Sequence, residues 1–245
     1  MSDVPPIVLT VAGSDPSGGA GLQSDLKTIH QHGAYGVAVP TLITVQSTVE
    51  VLQVELLCAL GSPTVAHILG SFMEETTFPW VVDPVWLPTR GRPLAKGDVV
   101  EAYKDAVLPR AALLTPNAQE AALLAEVPVR TLDDARGAAE RIAGLGASAV
   151  LIKGGHLEGS SRGTDLLLYE GEVTELPVAE VIPGRFHGTG CALSAAIAAR
   201  LGFGQDLPTA VRDAKAWLTG SLAHAFAVGS GALPVNHFWP LNEKP

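Results

Sequence analysis

Cysteine is nearly absent from this chain of 245 residues. Cys58 and Cys191 are its two cysteines, too few for a disulfide scaffold or a cysteine-based zinc site, so a reducing cytoplasm is the expected setting. Aromatic residues are scarce at 5%, so a core must be built mostly from Ala, Val and Leu. Basic residues are outnumbered, 16 Lys and Arg against 25 Asp and Glu, and no basic block occurs. That balance argues against a nucleic-acid or anionic-membrane partner and requires any anionic ligand to be held by local groups. No apolar run approaches the ~18 residues of a membrane span, and the first residues lack the basic and apolar regions of a secretory signal. Neither G-x-x-x-x-G-K-[ST] nor G-x-G-x-x-G occurs, and the histidines form no H-x-x-x-H pair.

What is present alternates. Short apolar runs at Ile7–Ala12, Val37–Thr44, Pro79–Asp83, Ala112–Thr115 and Ala149–Lys153 read as strands, with a weaker run at Val49–Leu57. Helical stretches are expected at 20–32, with Leu22, Leu26 and Ile29 as its apolar stripe, and near 64–76, 97–107, 118–125, 132–144, 192–200 and 209–227. Asp165–Tyr169 and Glu172–Val178, joined through Glu170-Gly171, read as a hairpin. No linker and no repeat divides the chain, so a single domain over residues 1–245 is expected. The alternation implies an α/β fold with a parallel-rich sheet and helices on both faces. Ligands of such sheets bind beyond the carboxyl ends of the strands, so the residues just past each strand are the candidates for a site.

The first strand empties into Gly13-Ser14-Asp15-Pro16-Ser17-Gly18-Gly19-Ala20-Gly21. Those glycines permit either a structural turn or close backbone approach to a ligand. Asp25 lies along the apolar stripe of the next helix and needs a partner, whether a ligand's N–H groups or a neighbour in the fold. Gln46 offers a donor and an acceptor at a strand end, although surface glutamines are commoner. Asp83 ends a buried-type strand, where it could hold a metal, receive a proton or begin a turn. Asn117 and Glu120 have the spacing of a helix capping box, with a metal-water role as the other reading. Lys153 closes an apolar strand before Gly154-Gly155 and is placed to meet phosphate oxygens or to escape to solvent. His187-Gly188-Thr189-Gly190-Cys191 opens a helix of small residues. Bare N–H groups at that helix start make an anion hole, and Cys191 in its first turn would have a stabilised thiolate or serve as a small buried residue.

Together these motifs resemble the hydroxymethylpyrimidine/phosphomethylpyrimidine kinases of the ribokinase-like superfamily. The resemblance is carried by Ala12 through Thr28, Gly33-Ala34-Tyr35-Gly36, Val82-Asp83-Pro84-Val85, Thr115-Pro116-Asn117, Lys153-Gly154-Gly155-His156, His187 through Cys191, and Ala214-Lys215-Ala216-Trp217-Leu218. It implies a ribokinase-like three-layer α/β/α sandwich with a mostly parallel central sheet. It further implies an ATP- and Mg2+-dependent kinase, cytoplasmic and homodimeric. Such a kinase phosphorylates 4-amino-5-hydroxymethyl-2-methylpyrimidine (HMP) and then its monophosphate, for thiamine biosynthesis. By the same resemblance Gly13, Asp25 and Gln46 hold the pyrimidine. Asn117, Lys153, Thr189 and Lys215 bind the nucleotide, and Asp83 and Glu120 organise Mg2+. Gly188, Gly190, Lys153 and Cys191 act in catalysis, Cys191 standing where sugar kinases carry an aspartate.

The chain departs from the family between Ser47 and Val82, which is short by about one strand and helix. Aligning Cys58–Pro63 with the family's K-x-G-M-L region puts the loss in the preceding helix and places Ala59 at a methionine position; the other alignment removes the later unit instead. Arg185-Phe186 and Pro88-Thr89-Arg90 also differ from the usual pattern. The sequence leaves two rivals: a pyridoxal kinase, and a catalytically impaired ligand-binding relative.

Overall fold

The computed structural model describes residues 4–46, 51–55, 62–84 and 97–239. They gather into two compact units, one from Met1–Ala59 with Ile182–Pro245 and the other from Leu60–Val181. Cys58, Ala59 and Pro88-Thr89-Arg90 lie outside the described residues.

In chain order the first unit opens with β1 (Ile7–Ser14), α1 (Gly21–Gln31), β2 (Tyr35–Gln46) and β3 (Val51–Glu55). The second unit contains α2 (Pro63–Glu74), β4 (Val81–Val82), α3 (Gly97–Ala106), β5 (Leu113–Leu114), α4 (Ala118–Ala125), α5 (Leu132–Gly144), β6 (Ala149–Ile152), β7 (Asp165–Tyr169) and β8 (Glu172–Leu176). The chain returns to the first unit through β9 (Phe186–His187), α6 (Thr189–Gly202), α7 (Leu207–Ala223) and β10 (Leu233–Pro234).

In the first unit β1 pairs parallel with β2 from Ile7↔Tyr35 onward, and β3 pairs antiparallel with the end of β2. The crossover between the parallel strands is α1, as such pairing requires. Its buried face differs from the expected stripe. Leu22 and Ile29 are buried, but Leu26 is only half-buried, and Ser24, Asp25 and Thr28 go inside. Those polar side chains enter because each finds a partner there. Thr10 donates to Asp25, His237 meets Ser24, and the Thr28 hydroxyl donates to the Ser24 carbonyl. Opposite them α6 buries Ala192, Ala195, Ala196 and Ala199, whose small side chains let α1 pack close. Asp206 caps α7 by accepting from Thr209 N–H at 2.9 Å.

In the second unit the strand order is β4-β5-β6-β7-β8, parallel through β6 and antiparallel beyond it. β4 and β5 are two residues each, shorter than the runs that predicted them. Val150, Leu151 and Ile152 of β6 are fully buried, as are Ala135, Ala138, Ala139 and Ile142 of α5. A side chain such as Ile142 contributes about 2 kcal/mol by leaving water. The hairpin turns through Glu170 (φ 50°) and Gly171 (φ 79°), both left-handed, the conformation a two-residue hairpin needs to match strand twist. β8 ends at Leu176 rather than Val178.

Candidate functional site

The loop after β1 is organised by Asp15, a residue to which the sequence alone assigned no role. Asp15 is 3% exposed. One carboxylate oxygen accepts from the Ser17 backbone N–H at 2.8 Å. The other accepts from the Ser17 hydroxyl at 2.9 Å, Ala20 N–H at 2.8 Å and His187 Nε2–H at 3.0 Å. Gln23 Oε1 accepts from Asp15 N–H at 2.9 Å, and Lys27 Nζ donates to the Gly18 carbonyl at 2.7 Å. The signal was available: Asp before Pro-Ser-Gly is an Asx-turn pattern, in which the side chain takes the N–H two residues on.

Two glycines complete this arrangement. A Cβ on Gly21 (φ 54°) would strike the Gly13 carbonyl, and a Cβ on Gly188 (φ 77°) would strike the Gly19 carbonyl. Gly188 is also the N-cap of α6 and supplies no side-chain cap. The first-turn N–H groups therefore stand at the positive end of the helix with Thr189, Gly190 and Cys191 around them, an arrangement suited to an anion. Cys191 is half-buried and forms no disulfide. Asp25 Oδ2 accepts from Thr10 Oγ1 at 2.6 Å, so the side chain is anchored to β1. Beside it, Ser24 Oγ lies 2.9 Å from His237 Nε2. Burial, with Lys27 as a smaller cause, pushes the His237 pKa down to about 4, so the ring is neutral at pH 7. Gln46 ends β2 at a shift in register with β3. Lys215 is half-buried on α7.

The second unit brings its four expected residues together at the carboxyl ends of β4, β5 and β6. Asp83 lies just past β4 and Lys153 just past β6, and Lys153 Nζ donates to Asp83 Oδ1 at 2.7 Å. Asn117, just beyond β5, forms an isolated parallel bridge with Lys153, whose N–H donates to the Pro116 carbonyl at 2.9 Å. The capping box is formed: Asn117 Oδ1 accepts from Gln119 and Glu120 N–H, and Glu120 Oε2 accepts from Asn117 N–H at 2.8 Å. The turn after Lys153 is fixed from below. Asp165 Oδ1 accepts from Gly154 N–H at 2.8 Å, and a Cβ on Gly154 would strike the Thr164 carbonyl. Burial, then the charges of Lys153 and Arg162, lower the pKa of His156. Among the described residues no three His, Cys, Asp or Glu side chains form a metal cage. Mg2+ requires none, since it keeps waters and takes one or two carboxylates beside substrate phosphates.

Two features stand at the ends of strands: a glycine-capped helix start in one unit, and a lysine paired with an aspartate at parallel strand ends in the other. Phosphoryl transfer asks for such positioning and charge stabilisation rather than covalent chemistry. The phosphomethylpyrimidine kinase family matches residues 15–59 and 57–236, and the match breaks in two within the shortened segment. A hydroxymethylpyrimidine/phosphomethylpyrimidine kinase of Streptomyces coelicolor is 38% identical, over 98% of this chain and 97% of its own. A Staphylococcus aureus pyridoxal kinase, solved with AMP-PCP and pyridoxal, superposes with a TM-score of 0.88 at 27% identity, covering 98% of this chain and 96% of its own. A phosphomethylpyrimidine kinase from Clostridium difficile superposes at 0.73 with 30% identity, covering 87% of this chain and 99% of its own. These neighbours place the fold as ribokinase-like α/β.

Proposed function

The chain belongs to the phosphomethylpyrimidine kinase family, and from that premise we infer that it phosphorylates HMP and then HMP-phosphate, using ATP, in thiamine biosynthesis. The observation that carries the kinase chemistry is Lys153, at a parallel strand end with its ammonium 2.7 Å from Asp83. An ammonium so anchored is a fixed positive charge for the transferring phosphoryl group. The substrate is supported by the curated relatives at 33–39% identity over nearly the whole chain.

In this reading the N–H groups at the start of α6, bared by Gly188 and Gly190, hold the phosphoryl oxygens during transfer. Cys191 accepts the proton of the substrate hydroxymethyl group in the first step. The second nucleophile is already a phosphate oxygen and needs no such base. Gly13, Asp25 and Gln46 hold the pyrimidine, with Asp25 oriented by Thr10. Asn117, Thr189 and Lys215 bind the nucleotide. Asp83 and Glu120 would hold Mg2+ and its waters, and the ion supplies charge neutralisation of the ATP phosphates when bound. A single domain over residues 1–245, a homodimer and a cytoplasmic location belong to the same proposal. The one-domain part is supported by a family match that runs through both units. Among the described residues no helix is long and apolar enough to cross a membrane.

A second reading, pyridoxal kinase, is favoured by one observation: the pyridoxal-bound neighbour superposes better than the phosphomethylpyrimidine kinase from Clostridium difficile. The ratio of kcat/KM for HMP and pyridoxal separates the two. A ratio well above one is expected, and a ratio well below one would transfer the assignment to pyridoxal.

A further inference from the structure

The starts of α1 and α6 share one atom. Asp15 Oδ2 accepts from the N–H of Ala20, the N-cap of α1, at 2.8 Å. The same oxygen accepts from Nε2–H of His187, one residue before the N-cap of α6, at 3.0 Å. Asp15 is itself tied to α1, since its N–H donates to Gln23 Oε1 and Gln23 Nε2 donates to Ser14 Oγ at 2.8 Å. Neither N-cap residue supplies a side-chain hydrogen bond to its own helix. The Asp15–His187 bond therefore bridges two helix starts that lack caps of their own.

The α6 side of the bridge is the side that needs fixing. Gly188 turns with φ 77°, and a glycine leaves the chain more directions than any other residue. The buried alanines of α6 begin at Ala192, one turn further on, so their packing does not hold the turn. It is supported from two directions. β9 pairs with β10 over Phe186↔Leu233 and His187↔Pro234, a ladder of two residues. Opposite, the His187 ring lies against Gly19, where an added Cβ would meet the ring at 2.9 Å. Contact with Gly19 and the bond to Asp15 together hold the ring in one orientation.

We propose that His187 is a positioning residue for phosphoryl transfer. Bound to Asp15, it keeps the Gly188 turn and the first N–H groups of α6 in register with α1. The proposal rests on the reading that those N–H groups hold the phosphoryl oxygens and that Asp25, in the second turn of α1, holds the pyrimidine. Under that reading the bridge sets the separation between the substrate hydroxyl and the phosphoryl group, to which the rate of transfer is steeply sensitive. His187 acts through the backbone that follows it.

His187→Phe keeps a flat ring against Gly19 and removes the donor, whereas His187→Gln returns an N–H donor to Asp15. With both phosphorylation steps assayed separately, His187→Phe is expected to lower kcat by about tenfold or more, with KM for ATP and HMP within about twofold of the parent. His187→Gln is expected to recover most of that loss. Hydrogen exchange adds a readout that needs no substrate. Ala192 N–H, bonded to the Gly188 carbonyl at 2.9 Å, should exchange faster in His187→Phe and recover in His187→Gln, while Ala196, one turn on, exchanges as in the parent. His187→Ala replaces a phenylalanine variant that does not fold, with the same expectations. Parental kcat in a folded variant without the donor, or an unchanged Ala192 amide, would overturn the proposal. Equal losses in His187→Phe and His187→Gln would overturn it too. A parent protein that phosphorylates pyridoxal and not HMP would instead end the HMP reading, and the same comparison made on pyridoxal would still judge His187.

Discussion

Replacing Asp15 with Ala removes the acceptor around which the first loop is wound. Four donors lose their partner: Ser17 N–H, Ser17 Oγ–H, Ala20 N–H and His187 Nε2–H. They do not lose equally. The Ser17 hydroxyl can rotate, and His187, with 34% of its side chain exposed, can turn to water. The two backbone N–H groups cannot, because the close approach of Gly21 to Gly13 and of Gly188 to Gly19 fixes the chain on either side. A hydrogen bond to a charged group is worth about 1.5–3 kcal/mol, which for two gives about 3–6 kcal/mol, reduced to about 2–4 kcal/mol because Ser17 and Ala20 are only half-buried. Asp15→Asn keeps one acceptor oxygen and is expected to lose about half as much. Urea denaturation followed by fluorescence measures the difference, with an unchanged slope showing that the same structure unfolds. Both phosphorylation steps should slow together, since the loop and the α6 start are joined through Asp15 and His187. An Asp15→Ala protein within about 0.5 kcal/mol of the parent would refute the reasoning, because surface substitutions without a structural role fall in that range.

Other substitutions probe the remaining parts. Cys191→Ala is expected to slow the first phosphorylation about a hundredfold or more and the second much less, as loss of a general base should; equal losses in separate assays of the two steps would contradict a base role. Lys153→Met should cut kcat/KM by about a hundredfold or more in both steps, read by ADP release, while leaving Asp83 a largely buried carboxylate without its ammonium. His237 binds fewer protons folded than unfolded between its lowered pKa of about 4 and the ordinary 6.5, so stability should fall as pH drops through that window. The loss from pH 7 to 5 is about 2 kcal/mol, and His237→Asn should flatten that slope in pH-dependent urea midpoints.

The cap of α4 and the hairpin turn were legible because each had local chemistry. Asn117 and Glu120 announce a cap, and the structure forms it. Glu170-Gly171 announces a two-residue turn, and both residues adopt positive φ. The buried face of α1 was less legible, since a period of apolar residues cannot reveal that Ser24, Asp25 and Thr28 go inwards. Two of their partners, Thr10 and His237, come from a strand earlier in the chain and from its far end. The Asp15–His187 contact spans 172 positions and was hidden for the same reason. Capping also complicates Glu120. The side chain expected to organise Mg2+ closes a capping box on Asn117, and the two duties share one carboxylate with two oxygens. The segment that departs most from the family, around Cys58 and Ala59, lies outside the described residues, and its effect on substrate choice is read from the HMP-to-pyridoxal ratio.

The most direct test is the mass of the product formed by the purified protein with Mg-ATP and HMP. HMP-phosphate is expected first and HMP-diphosphate after it, with HMP-phosphate added alone also converted to the diphosphate. No phosphorylated product from HMP or HMP-phosphate, with phosphate appearing on pyridoxal under the same conditions, would contradict that expectation.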